Sequence, residues 1–153
     1  MYHELEGDII ELAKSGSYDV LIHGCNCQHT MGAGVAKLVA QAFPEALEAD
    51  LQTPKTTAKL GTVSYGFSPL PNGEVLIIAN AYTQAYYGKH HHAFNYGALR
   101  SCFEQIKHDL EGMHFLYPAI GAGLGLGNWY LIHPIIKEIF ASENHTFVKL
   151  PKE

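Results

Sequence analysis

Residues 18–42 read YDVLIHGCNCQHTMGAGVAKLVAQA, and this stretch decides the class of fold. It opens with a short apolar run at residues 18–23, which has the length and composition of a buried strand and ends in Gly24. A glycine-rich segment follows. Apolar residues then recur at helical spacing from residue 31 to residue 42, where Phe43-Pro44 stops the helix. The stretch therefore predicts a strand, a loop and a helix in succession.

The rest of the chain repeats this alternation of strand and helix. Further strands are predicted at residues 62–67, 74–80, 114–117 and 146–150, and further helices at residues 44–51, 94–110 and 129–140. Such alternation indicates an α/β fold with a mostly parallel sheet and helices on both of its faces. Because the 153 residues contain no linker or repeat, we expect a single domain over residues 1–153.

Composition limits the classes of function. The net charge of −5 and the pI of about 6.0 argue against a strong nucleic-acid-binding surface. No apolar run reaches the roughly 18 residues of a membrane span, and the first ten residues carry His, Glu and Asp where a signal peptide is apolar. We therefore expect no membrane partner and a cytoplasmic location, while the oligomeric state stays open.

The three cysteines argue against a secreted disulfide scaffold, because their number is odd and their spacing forms no framework. Cys25-Asn26-Cys27 is too sparse for a zinc site, which needs four ligands. A metal cluster that adds the nearby His23 and His29 is the weaker alternative to small buried thiols. We expect no metal and no organic cofactor.

Three loops follow the carboxyl ends of predicted strands, which is where ligands bind in α/β folds. They cover residues 24–34, 81–88 and 118–128. The first and third are rich in glycine and lead into helices, so they offer unpaired backbone N–H groups and the positive end of a helix dipole to a phosphate. Two such loops side by side predict a diphosphate held from both sides, although glycines also serve plain turns.

The common nucleotide-binding motifs do not fit these loops. Gly32-Ala33-Gly34-Val35-Ala36-Lys37 lacks the Walker pattern and its Mg²⁺-binding hydroxyl. The glycines at 121, 123 and 125 come late in the chain, and Glu138 and Glu143 lie at the wrong offsets to hold an NAD ribose. The sequence supports neither NTP hydrolysis nor a Rossmann dehydrogenase.

Three ordered motifs resemble those of the macro domain, the three-layer α/β/α module that binds ADP-ribose. They are Gly7-Asp8-Ile9 after a first strand, His23-Gly24-Cys25-Asn26 before the early glycine loop, and Ile120-Gly121-Ala122-Gly123-Leu124-Gly125 in the late one. The run Met31-Gly32-Ala33-Gly34, together with Trp129 just after the late loop, is similar to the sequences of one branch of this family in particular. That branch contains the yeast-type ADP-ribose 1″-phosphate phosphatases and phage and bacterial relatives.

The resemblance implies a set of ligand contacts. Asp8 would accept a hydrogen bond from the adenine amino group and Ile9 would offer its backbone N–H to the ring, with a helix N-cap as the structural alternative for Asp8. Asn26 would hold the distal ribose hydroxyls, with a turn residue as its alternative, and the glycine segments would cover the diphosphate. The expected contacts are Asp8, Ile9, Asn26, Met31, Gly32, Ala33, Gly34, Val35, Asn80, Tyr82, Gly121, Ala122, Gly123, Leu124, Gly125 and Leu126.

The catalytic pattern departs from part of the family. Some members remove ADP-ribose with a Lys just after the middle strand and an Asp inside the late glycine loop. This sequence does not match them, because Asn80-Ala81-Tyr82 stands at the place of the Lys and Gly125 at the place of the Asp. His23 and Asn26 are the predicted catalytic residues, since an imidazole with a pKa near 6.5 can act as acid or base at neutral pH. A buried His bonded to backbone is the alternative for His23. The run His90-His91-His92 is a further candidate, with a solvated loop as its alternative.

The resemblance implies hydrolysis of ADP-ribose 1″-phosphate to ADP-ribose and phosphate as the leading function. A module that reads ADP-ribose without catalysis is the first alternative. The second is a hydrolase that removes ADP-ribose from protein or nucleic acid, or deacetylates O-acetyl-ADP-ribose. The partners implied are ADP-ribose and its derivatives.

Overall fold

A six-stranded sheet forms the centre of the chain in the computed structural model, which describes residues 1–87, 94–123 and 127–151. The strands are β1 (Tyr2–Glu6), β2 (Val20–Asn26), β3 (Val63–Pro69), β4 (Val75–Gln84), β5 (His114–Tyr117) and β6 (Asn144–Lys149). The helices are α1 (Ile9–Lys14), α2 (Gly34–Ala42), α3 (Pro44–Leu51), α4 (Tyr96–Asp109) and α5 (Trp129–Ile139), with a short 3₁₀ turn at Thr57–Lys59.

The strand order is β1-β6-β5-β2-β4-β3. β3 runs antiparallel to β4, and the other neighbouring strands are parallel. The sheet is therefore mixed and mostly parallel, as the alternation of elements predicts. The carboxyl ends of its parallel strands share one edge, and this edge holds the loops that the sequence marks as ligand-binding.

Helices cover both faces of the sheet and bury separate apolar clusters. Val20 and Ile22 of β2 face α4 and α5, while the intervening Leu21 faces the side of α1, α2 and α3. This alternation follows from the two-residue period of a strand. It produces the three-layer α/β/α architecture that the sequence predicts.

The ends of two strands differ from the prediction in a way that shapes the site. β2 does not end before Gly24, because it continues to pair with β4 through Gly24↔Ala81 and Cys25↔Tyr82. Gly24 permits this, since a Cβ on it would lie 3.0 Å from Cγ2 of Ile120. β4 likewise runs to Gln84 instead of residue 80. Both strands therefore deliver side chains directly to the loop edge of the sheet.

One predicted helix begins later than expected, and one short helix was not predicted. The helix expected from residue 31 begins at Gly34, whose φ of 59° lies in the left-handed region that favours glycine. Met31, three residues earlier, instead buries its side chain with Cys25, Cys27 and Tyr82. The short helix α1 was not expected from periodicity, because its six residues are too few to show one.

Candidate functional site

A cavity of about 800 Å³ opens at the carboxyl edge of the sheet. It lies over β2 and β5, adjacent parallel strands whose onward connections run to opposite sides of the sheet, which is the usual position of a ligand in such folds. Its wall consists of residues 23–26, 30, 32–36, 83–84, 87, 118–123 and 147–150. The early and late glycine segments thus face one cavity, as the sequence predicts for a shared ligand.

His23 contributes to the floor of this cavity and is 1% exposed. Its Nε2 lies 2.6 Å from Oδ1 of Asn80. The Asn80 amide has a defined orientation, because its Nδ2 donates to the backbone oxygen of Ala46 at 2.9 Å and to Oγ of Ser64 at 3.0 Å. Since Oδ1 of Asn80 can only accept, Nε2 of His23 carries the proton and Nδ1 is left with its lone pair.

Burial lowers the pKa of His23 to about 4, and the hydrogen bond that Nε2 donates to Asn80 opposes this only in part. The ring is therefore neutral at physiological pH. It can accept a proton at Nδ1, but it does not hold an extra proton to donate.

Cys25 packs against the same ring. Its Sγ lies 3.6 Å from Nε2 and 3.8 Å from Nδ1 of His23. Burial raises the pKa of the Cys25 thiol well above its usual value, so the sulfur is present as a thiol and does not form an ion pair with the imidazole. Within residues 1–87, 94–123 and 127–151, no three His, Cys, Asp or Glu side chains group closely enough to hold a metal ion.

A buried polar network continues behind the floor. Ser64 Oγ lies 2.8 Å from the hydroxyl of Tyr82, which donates to Oδ1 of Asp50 at 2.7 Å. Asp50 and Lys59 are 1% and 6% exposed, with 3.7 Å between Oδ1 and Nζ, and Nζ also donates to Thr53 Oγ1 at 2.7 Å. Such a chain of satisfied bonds rigidifies the wall that holds Asn80. Sequence reasoning missed this network, because its members are spread over four separate segments.

Asn26 closes the loop that begins the early glycine segment. Its Oδ1 accepts from the backbone N–H of Gln28 at 2.8 Å and from Oγ1 of Thr30 at 3.0 Å, while its Nδ2 donates to the Thr30 backbone oxygen at 2.9 Å. Asn26 lies in the cavity wall, but much of its amide is engaged in this turn. The structure thus shows the turn geometry that the sequence left open, and the ribose contact stays a prediction.

The early glycine segment leads into the amino terminus of α2 at the cavity wall. The N-cap residue Ala33 has no side-chain acceptor, so it caps none of the first-turn N–H groups of α2. A Cβ added to Gly32 would meet no atom within 4 Å, which means that this backbone borders open space. The segment can therefore present its N–H groups to an anion at close range.

The late glycine segment is held in shape by a short bridge and an aromatic ring. The N–H of Gly127 donates to the backbone oxygen of Gly121 at 2.6 Å. Phe94 packs so closely that a Cβ on Gly121 would overlap its ring, and Gly121 has a φ of 78°. Gly121, Ala122 and Gly123 line the cavity, whereas the predicted contacts Leu124, Gly125 and Leu126 lie outside the described residues.

Several predicted contacts lie away from the cavity wall. Asn80 and Tyr82 are fully buried on the α2/α3 face of β4, and Met31 belongs to the apolar cluster beside them. Asn80 reaches the cavity only through His23. Asn80 and Tyr82 are two residues apart on β4, so their side chains point to the same face of the sheet, away from the cavity. The residues of β4 that line the cavity are Thr83 and Gln84. Met31, Asn80 and Tyr82 lie outside the cavity wall, and their direct contact with a ligand stays a prediction.

Asp8 caps helix α1, which was the structural alternative for this residue. Its Oδ1 accepts from the N–H groups of Ile10 at 2.9 Å and Glu11 at 3.2 Å. Ile9 is buried under the same helix. The preceding Gly7 donates its N–H to the backbone oxygen of Lys149, a residue of the cavity wall, so Asp8 stands beside the β6 end of the cavity. A contact with an adenine ring stays a prediction.

Sequence reasoning missed part of the wall. Thr83 and the β6 end from Phe147 to Leu150 line the cavity, and nothing in their residue types marks them. The strand-end rule was the signal available, because both segments lie at carboxyl ends of parallel strands. Tyr87, in the predicted loop of residues 81–88, lies in the wall and is 60% exposed. The run His90-His91-His92 lies outside the described residues.

Comparison with known proteins assigns the family. No family model matches the sequence. An uncharacterized 17.5 kDa protein from the tk-vs intergenic region of Enterobacteria phage T4 is 38% identical, over 86% of this chain and 85% of the phage protein. The macrodomain of Mycobacterium tuberculosis DarG superposes with a TM-score of 0.76 at 16% identity, over 99% of both chains. The chain belongs to the family of the phage protein and has the macrodomain fold.

A second macrodomain structure shows the same fold with a ligand. Thermosipho africanus DarTG in complex with ADP-ribose matches with a TM-score of 0.72 at 18% identity, over 97% of this chain and 42% of that one. In the described part of this chain, each helix is too short or too polar to serve as a membrane span.

Proposed function

We propose that this macrodomain binds ADP-ribose and hydrolyses ADP-ribose 1″-phosphate to ADP-ribose and inorganic phosphate, with residues 1–153 acting as one domain. The observation that supports it most is the single cavity in which the two glycine segments face each other above His23. The Thermosipho africanus protein with the same fold is described in complex with ADP-ribose, which agrees with this ligand class.

Binding would depend on backbone groups. A cavity of about 800 Å³ lies within the roughly 300–1,000 Å³ of small-molecule sites. The N–H groups of residues 32–35 and of the late glycine segment would hold the diphosphate from two sides, which needs no cluster of basic side chains. Asp8 at the β6 end would take the adenine, and Asn26 at the β2 end would take the distal ribose.

Hydrolysis would use His23 as a general base. The neutral ring carries a lone pair on Nδ1, which would take a proton from a water molecule that attacks the phosphorus. The bond between phosphorus and the oxygen on C1″ breaks, and that oxygen takes a proton from solvent water to become the ribose hydroxyl, while His23 later releases its proton to solvent. Phosphate leaves as the second product. Because burial lowers the pKa of His23 to about 4, the ring is unprotonated at neutral pH and is in the form that can accept a proton.

A reader without catalysis is the second candidate. It is favoured by the hydrogen bonds that already engage Nε2 of His23 and both ends of the Asn26 amide. In a reader these groups would shape the cavity and contact the ligand without moving a proton.

Calorimetry with ADP-ribose, combined with phosphate release from ADP-ribose 1″-phosphate, separates the two candidates. We expect binding and turnover by the wild-type chain, and at least tenfold slower phosphate release by His23→Ala and by Asn26→Ala. His108→Ala is the matched control, because His108 is exposed on α4 and outside the cavity wall. Tight ADP-ribose binding without turnover would establish the reader, and the absence of binding would overturn both.

A further inference from the structure

We propose that the hydroxyl of Thr83 is a ligand-binding group that forms a hydrogen bond with the distal ribose unit. This proposal rests on the proposed binding of ADP-ribose. Thr83 lies on β4, and none of the three sequence motifs includes a residue of this strand.

The Thr83 hydroxyl is buried without a partner. Within residues 1–87, 94–123 and 127–151, two buried side-chain oxygens make no hydrogen bond, Oε1 of Glu45 and Oγ1 of Thr83. Glu45 lies outside the cavity wall, whereas Thr83 is part of it and is 1% exposed. Folded proteins rarely leave such a group unsatisfied, because an unpaired buried hydroxyl is costly. The position of the Thr83 hydroxyl in the cavity wall explains the missing partner, since a bound ligand can form the hydrogen bond.

The hydroxyl of Thr83 lies against the backbone of Gly24 in the cavity wall. Thr83 falls between the pairs Cys25↔Tyr82 and Asn26↔Gln84, where the register of β2 and β4 shifts by one residue. A Cβ built on Gly24 would lie 3.2 Å from Thr83 Oγ1, so this oxygen lies on the face of the sheet to which Gly24 would point a side chain. His23 and Cys25 approach the cavity from the opposite face. Thr83 and His23 therefore border the same end of the cavity from two sides of the sheet.

The backbone holds Thr83 in place. Its carbonyl oxygen accepts the N–H of Asn95 at 2.8 Å, and the neighbouring Gln84 pairs with Phe94. The hydroxyl is therefore presented from a fixed strand end and has only its side-chain torsion to adjust. A hydroxyl that is positioned before the ligand arrives loses little entropy on binding.

The strand order determines which end of the ligand meets Thr83. Asp8, the predicted adenine contact, follows β1, and four strand spacings of about 4.8 Å separate β1 from β4, or about 19 Å. A dinucleotide-like ligand with its adenine at β1 and its diphosphate at the glycine segments places its distal ribose near β4. A threonine hydroxyl both donates and accepts, which matches a ribose hydroxyl.

The test compares Thr83→Val, which keeps the shape and removes the hydroxyl, with Thr83→Ser, which keeps the hydroxyl. Calorimetry would measure the affinity of each chain for ADP-ribose and for ADP, which lacks the distal ribose. We expect Thr83→Val to weaken ADP-ribose binding about tenfold and to leave ADP binding unchanged. Thr83→Ser should bind both within about threefold of the wild type.

Thermal unfolding gives the second readout. Since Oγ1 has no protein partner, Thr83→Val should keep or raise the melting temperature. A lower melting temperature would show that the hydroxyl has a structural partner and would overturn the proposal. So would unchanged ADP-ribose binding by Thr83→Val, or an equal loss for ADP. Failure of the wild-type chain to bind ADP-ribose would instead overturn the proposed function, and this inference with it.

Discussion

Nε2 of His23 on β2 lies 2.6 Å from Oδ1 of Asn80 on the neighbouring strand β4. The two residues are register partners in the parallel sheet, so the bond is made by strand pairing and needs no loop. Because Ala46 and Ser64 fix the Asn80 amide, the bond also fixes the tautomer of the imidazole. Asn80 therefore influences the chemistry of the cavity by fixing the tautomer of His23.

The pH dependence of phosphate release should reflect this arrangement. Since burial lowers the pKa of His23 to about 4, the base stays unprotonated at mildly acidic pH. We expect kcat/KM of the wild-type chain to fall on the acid side through a group that titrates near pH 4, in addition to the phosphate of the substrate, which titrates near pH 6. A steady-state pH profile between pH 4 and 8 measures this.

Asn80→Asp separates the titration of the enzyme from that of the substrate. A carboxylate next to Nε2 favours the imidazolium, so the pKa of His23 should rise and the acid limb should move to higher pH by at least one unit. The substrate contribution is the same for both chains, and circular dichroism controls for folding. An identical acid limb in the variant would show that His23 is not the base.

Gly121 and Gly123 of the late segment should respond differently to replacement by alanine. At Gly121 the φ of 78° and the ring of Phe94 leave no place for a Cβ, so Gly121→Ala should destabilise the fold by roughly 1–3 kcal/mol. At Gly123 a Cβ meets no atom within 4 Å, so Gly123→Ala should fold normally. Its methyl group would enter the cavity and weaken ADP-ribose binding at least tenfold.

Urea unfolding and calorimetry on both variants test this pair. A Gly123→Ala chain that binds ADP-ribose like the wild type would show that the late segment does not approach the ligand. A Gly121→Ala chain with wild-type stability would show that Phe94 can move aside.

The sequence predicts the sheet, its helical layers and the glycine segments because these depend on local patterns. Residues 44–51 and 114–117 form a helix and a strand at the expected bounds. Local patterns do not predict the extension of β2 through Gly24, because this extension depends on the close approach of Ile120, which is distant in the sequence. A glycine after an apolar run is as typical of a turn as of a tight strand crossing.

The polar contacts of the site depend on pairs that are distant in the sequence. His23 and Asn80 are 57 positions apart, and the sequence shows neither that they are bonded nor that the Thr83 hydroxyl is unpaired. Strand parity adds a further limit. One residue of shift along β4 separates Tyr82, which is buried with Asp50, from Thr83, which lines the cavity.

The buried pair of Asp50 and Lys59 should be important for stability. Lys59→Met would leave the Asp50 carboxylate buried without its countercharge and should cost about 3–5 kcal/mol in the free energy of unfolding. The double variant with Asp50→Asn should recover part of this loss, because no charge is then buried. Arg100→Met is the control, since its ion pair with Glu138 is solvent-exposed and should contribute less than about 1 kcal/mol.

Chemical denaturation of these three variants and the wild type measures the losses in the free energy of unfolding. Equal losses in Lys59→Met and in the double variant would mean that Asp50 tolerates burial through Tyr82 alone.

Two further buried histidines should make the fold sensitive to acid. Burial lowers the pKa of His133 and His145 to about 4, and the hydroxyl of Tyr117 lies 2.7 Å from Nδ1 of His145. A histidine whose folded pKa lies below its unfolded value of 6.5 binds more protons when unfolded, so the stability that it contributes is present above pH 6.5 and is lost as the pH falls towards 4. We expect each of these two histidines to lower the free energy of unfolding by about 1–2 kcal/mol between pH 7 and pH 5.

Urea unfolding at both pH values tests this. The change in the free energy of unfolding between pH 7 and pH 5 should be smaller for His145→Gln than for the wild type, whereas the variant of the exposed His108, His108→Gln, should keep the full change. An unchanged difference in His145→Gln would mean that His145 is already charged in the folded protein.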